Sequence, residues 1–87
     1  MPTVFIPSPM RSLTGDQQTV EVEGSTVRQV FDALDQAYPG FKQRLVEDGQ
    51  IKPNIAIAVD GEVTPLGMLE QVGTESEVHI LSAISGG

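Results

Sequence analysis

The residues Ser82-Ala83-Ile84-Ser85-Gly86-Gly87 follow an apolar run, Val78-His79-Ile80-Leu81, and none of them bears a charged side chain. The reactive group they offer is the α-carboxylate of Gly87. Two glycines leave that group without a neighbouring Cβ, so the backbone can thread a channel too narrow for other residues. An α-carboxyl titrates near ~3.5 and is ionised at neutral pH. A carboxylate is a poor electrophile. An ATP-using partner could adenylate it, and the resulting mixed anhydride would be open to attack by a sulfur, amine or thiol nucleophile. The partner would supply phosphate binding and electrostatic stabilisation. The chain would then be a carried substrate and not the enzyme. Against this stands chance, since a glycine-rich chain ends in Gly-Gly roughly one time in a hundred, and chain ends fray.

No competing chemistry emerges from the rest of the sequence. His79 is the single histidine. It alternates with Val78 and Ile80 and is expected on the solvent side of a strand. A catalytic base needs a nucleophile and an orienting group beside it, and one histidine without cysteine lacks a zinc ligand set. Asp32 and Asp35, three apart on a helix, read as a solvated face. Glu47, Asp48, Asp60, Glu62, Glu70, Glu75 and Glu77 have no calcium-loop spacing, and the glycines form neither a phosphate loop nor a dinucleotide fingerprint. Phe5, Phe31 and Phe41 are spaced like core residues, and Met10 and Met68 like gap fillers.

Composition narrows the class. A chain of 87 residues is expected to be one domain with a modest core. The absence of cysteine excludes disulfides, thiolate metal sites and a catalytic cysteine. A net charge of −7 speaks against nucleic acid as a ligand; it reads first as a device for solubility and second as a means of steering the domain toward a basic surface on a partner protein. The start, Met1-Pro2-Thr3-Val4-Phe5, has no basic region followed by a long apolar one. No apolar run nears the roughly 18 residues that span a membrane. A cytoplasmic protein that binds no membrane is the expectation.

The elements that would hold the tail can be read in order. Thr3-Val4-Phe5-Ile6 and the alternating Thr19-Val20-Glu21-Val22-Glu23 predict a β-hairpin with a long connection, turning near Thr14-Gly15-Asp16. Ser25 or Thr26 caps a helix, with Gln29 completing a capping box. Val27, Val30, Phe31, Leu34 and Tyr38 form its buried stripe, and Pro39-Gly40 stops it. Phe41 to Asp48 predicts a short helical piece and Gly49 to Pro53 a loop. Ile55 to Val59 is a strong strand, and Asp60-Gly61 is a type I′ turn into Glu62-Val63-Thr64. Leu66, Leu69 and Val72 are expected to fill core gaps. Glu77 to Leu81 is the last strand, expected to pair centrally with the first. Residues 1–81 form the domain and residues 82–87 a flexible tail.

With this element order and the Gly86-Gly87 terminus, the chain resembles the ubiquitin-like β-grasp proteins. More narrowly it resembles the MoaD/ThiS sulfur-carrier family. The likeness rests on Val4-Phe5-Ile6, Gly24-Ser25-Thr26-Val27, the helix end near Leu34, Asn54 to Val59, Asp60-Gly61-Glu62 and the stretch from Val78 to Gly87. It implies an α+β fold, a mixed sheet of four to five strands with one main helix across one face. It implies that Gly87 is adenylated by an E1-like enzyme and converted to a thiocarboxylate that donates sulfur, with Gly86, Ser85, Ile84 and Ala83 recognised along the tail. No cofactor or metal would be bound, since ATP and the sulfur donor serve the partner enzyme. Ile6-Pro7-Ser8-Pro9-Met10-Arg11, with Thr14-Gly15 and Gln18, looks like the carriers that feed cysteine biosynthesis. The acceptor would then be a cysteine synthase-like enzyme. A molybdopterin synthase small subunit, meeting its large subunit, and a ubiquitin-like protein modifier are the alternatives. Ser82 stands where many relatives have proline, and Ser85 where alanine is frequent.

Overall fold

A computed structural model describes residues 1–82 of the chain. Seven strands and two α-helices follow one another: β1 (Thr3–Phe5), β2 (Thr19–Glu21), α1 (Val27–Ala37), α2 (Phe41–Leu45), β3 (Val46–Glu47), β4 (Gln50–Ile51), β5 (Ile55–Val59), β6 (Glu62–Val63) and β7 (Glu77–Ser82). The main sheet has the order β2-β1-β7-β5-β6. β1 and β7 pair in parallel, and the other neighbours are antiparallel. This is the expected β-grasp arrangement, with the last strand at the centre.

The alternation of apolar residues dictates which face is buried. Val4, Val78, Ile80, Ile55 and Ile57 point inward from the sheet and meet Val27, Val30, Phe31 and Leu34 of α1, joined by Phe41 and Leu45 of α2. Each such side chain contributes about 1.5–3 kcal/mol by leaving water. The start of α1 is fixed by side chains. The N–H of Gln29 donates to Thr26 Oγ1 at 3.2 Å. Gln29 Oε1 accepts from the N–H of Ser25 at 2.8 Å and from its hydroxyl at 2.9 Å. Thr26 is thus the cap, and Ser25 takes the reciprocal bond of the capping box.

Several expectations need correction. The connection between β1 and β2 is not a plain turn but a 3₁₀ helix at Ser8–Thr14, anchored by buried Met10 and Thr14. The predicted helical piece ends early at Leu45. Residues 46–51 instead form a small hairpin about Asp48-Gly49, whose φ angles of 54° and 77° suit a tight turn. Asp35 is not merely solvated: its Oδ1 accepts from the N–H groups of Gly40 and Lys42, both at 3.1 Å, and so ties α1 to α2. Leu66 and Leu69 do not fill core gaps and remain exposed, while Val72 is buried as expected. β7 runs through Ser82, whose backbone pairs with Ile55, one residue beyond the boundary read at Leu81.

Candidate functional site

β7 carries the chain to the tail through the middle of the sheet. Its entry is clamped by the β5–β6 turn. The N–H of Glu77 donates to Asp60 Oδ1 at 3.0 Å, the Ser76 hydroxyl donates to Asp60 Oδ2 at 2.8 Å, and the Asp60 N–H donates to the Glu77 carbonyl at 2.9 Å. The Glu77 N–H, and after it the Ser76 hydroxyl, hold the Asp60 carboxyl below the usual aspartate range. Asp60 can make these bonds because the turn places it at φ 54°, a conformation that aspartate tolerates better than most residues.

The sheet face opposite α1 follows from the register. Phe5 is level with His79, His79 with Ala58, and Ala58 with Val63. Leu81 lies opposite Ala56 one step nearer the tail. Residues directly opposite share a face, so these six form one outward band. Val63 is 61% exposed and Leu81 43%. Phe5 and His79 stack with ring centroids 4.1 Å apart and planes 4° from parallel. At the other end of this face stand Glu21, opposite Thr3, and Glu77, whose carboxylate lies 3.4 Å from His79 Nε2. The face is therefore apolar toward the tail and acidic away from it.

His79 lies outward, as alternation requires. Phe5, expected in the core, does not: within β1 it is Val4 that points inward, and Phe5 serves the outer band. The parity of a three-residue strand flanked by apolar residues on both sides was the ambiguous signal. The first strand's long connection returns to this end of the sheet. Because β1 runs parallel to β7, the 3₁₀ helix that follows it lies at the tail end of the strands. Arg11 Nε donates to the Ile6 carbonyl at 3.0 Å, and the Thr14 hydroxyl lies within 3.1 Å of the Arg11 carbonyl and 3.0 Å of the Gln17 carbonyl.

The tail residues named from the sequence, Ala83, Ile84, Ser85, Gly86 and Gly87, lie outside the described residues. Among the described residues no cluster of histidine, cysteine, aspartate or glutamate could hold a metal. No helix among them is long and apolar enough to cross a membrane.

Comparison with known proteins bears on this arrangement. A model of the ThiS family matches residues 4–87. The sulfur carrier protein CysO of Mycobacterium tuberculosis is 31% identical over 90 residues, spanning 98% of this chain and 97% of the relative. A solved BexX/CysO complex from Amycolatopsis orientalis contains a chain with a TM-score of 0.95 and 31% identity, each chain covered in full. Small archaeal modifier protein 3 of Haloferax volcanii is 33% identical over 67 residues, spanning 75% of this chain and 73% of that one.

Proposed function

The chain belongs to the ThiS family, and from that premise we propose that it is a sulfur carrier protein, a carried co-substrate rather than a catalyst. The carboxylate of Gly87 is the attachment point. An E1-like enzyme adenylates it with ATP, releasing pyrophosphate. A sulfur donor then displaces AMP and leaves a thiocarboxylate, which gives its sulfur to an acceptor enzyme. The observation that carries this reading is full-length likeness to a protein named as a sulfur carrier, together with a family match that runs through Gly87. Ala83, Ile84, Ser85 and Gly86 thread the partner's channel, where the absence of a side chain at Gly86 lets the backbone approach closely. The apolar band of Phe5, His79, Leu81 and Val63 is the docking face. A tail of five residues beyond Ser82 reaches about 17 Å when extended, enough to enter a partner's site while the body stays outside. We assign the sulfur to cysteine biosynthesis on the strength of the CysO likeness, and the BexX/CysO complex supports a protein as the acceptor.

Intact mass decides the matter. Incubation with an activating enzyme, ATP and a sulfide source should exchange one oxygen for sulfur at the C-terminus. Deleting Gly87, or adding one residue after it, should abolish the exchange while leaving the circular dichroism unchanged. A thiolated extended chain would refute the proposal. The likeness to small archaeal modifier protein 3 favours a second reading, isopeptide linkage of the same activated carboxylate to lysines. Tryptic peptides from cell extracts carrying a remnant of the tail on lysine would support it.

A further inference from the structure

The side of the molecule that bears α1 has a groove of its own. It is walled by α1, by the Gly67–Leu69 turn and by the β3–β4 hairpin. Ile51, Leu66, Met68 and Leu69 give it an apolar floor and rim. Leu66 is 56% and Leu69 74% exposed, and they are not loosely held. The N–H of Leu66 donates to Thr64 Oγ1 at 3.0 Å, that of Leu69 to the Leu66 carbonyl at 3.1 Å, and that of Glu70 to the Gly67 carbonyl at 3.1 Å. The backbone itself presents two leucines to water.

Charge is distributed unevenly here. The chain has 12 acidic and 5 basic residues. Two of the basic ones, Arg28 and Lys42, line the groove, and none of the acidic ones does. Lys42 Nζ is 2.6 Å from Asp32 Oδ1, and Arg28 makes no ion pair among the described residues. We propose that this groove is a second docking surface, for a partner-protein segment in which carboxylates flank one or two large apolar side chains. Exposed leucines beside an unpaired guanidinium favour a ligand that is both apolar and acidic. The groove lies across the sheet from the apolar band, so both can be occupied at once. The proposal does not depend on the sulfur-carrier reading.

The probe is a short synthetic peptide of leucine and glutamate patterned as an amphipathic helix, added to the isotope-labelled full chain and followed by amide NMR. Shifts are expected at Arg28, Lys42, Ile51, Leu66 and Leu69. Arg28→Glu and Leu69→Ser should each weaken binding by roughly tenfold or more, and Arg28→Glu should instead accept the peptide with lysine in place of glutamate. Equal binding of the glutamate and lysine peptides by the unaltered chain, or shifts centred on Phe5, His79 and Leu81, would overturn the proposal. So would displacement of signals from residues 83–87 together with those of the groove, which would make the tail the occupant. A concentration-dependent dimer lost in Leu69→Ser would overturn it in favour of a second copy.

Discussion

Single residues set the limits of this small domain, and Gly24 is one whose requirement is steric. A Cβ there would lie 2.8 Å from the backbone nitrogen of Val30 and 3.0 Å from the carbonyl carbon of Gln29. The helix backbone cannot move aside without loosening the core that α1 covers. Gly24→Ala is expected to cost about 1–3 kcal/mol, measured as a lower urea midpoint with an unchanged slope. Asp60 acts through charge. Its carboxyl is held below the usual range by the Glu77 N–H and the Ser76 hydroxyl, so the ionised form is favoured more in the folded chain than in the unfolded one. The stabilisation is present at neutral pH and is lost as pH falls from the ordinary carboxylate value, ~4, through the lower folded one. Asp60→Asn should therefore be less stable than the parent near pH ~7, with the gap closing below pH ~4. Denaturant midpoints across that range test this, and a constant gap would count against it.

At the scale of elements, α1 stands on its capping arrangement and its stripe. Thr26→Ala removes the acceptor for the Gln29 N–H and is expected to lower stability by about 1 kcal/mol, read as a drop in thermal midpoint of several degrees. The elements with strong local signals were legible in the sequence. The period of α1, the apolar run of β5 and the Asp60-Gly61 turn each follow from residue type and spacing, and together they imply the sheet and its covering helix. Weak signals failed where tertiary contacts decide. Asp48-Gly49 is the same turn dipeptide as Asp60-Gly61, but its strands β3 and β4 have two residues each, too few for alternation to register. Leu66 and Leu69 have helical spacing, which suggests burial. They fall instead in a turn whose backbone bonds face them outward. The 3₁₀ helix at Ser8–Thr14 hides behind two prolines that read as strand breakers. The reading of the tail rests on chemistry alone, through its glycines, and residues 83–87 lie outside the described ones.

Across the whole molecule, one sheet face is apolar toward the tail and the body is acidic. Leu81→Glu places a charge in the outward band beside the root of the tail. It is expected to weaken docking to an activating enzyme by roughly tenfold or more, with the fold intact by circular dichroism. Titration calorimetry would measure the loss, and unchanged affinity would move the docking face elsewhere. The position of β7 has a further consequence, for the order in which the protein can come into being. β1, near the start of the sequence, and β5 have no hydrogen bonds to each other; both pair with β7. A nascent chain that has not reached residue 77 has both halves of the sheet but lacks the strand that hydrogen-bonds to each of them. Two of the six residues of the outward band, His79 and Leu81, are also missing until then, since they belong to β7. Synthesis thus finishes the recognisable surface and the sheet in one event. A partner that selects by that surface meets only chains translated far enough to fold.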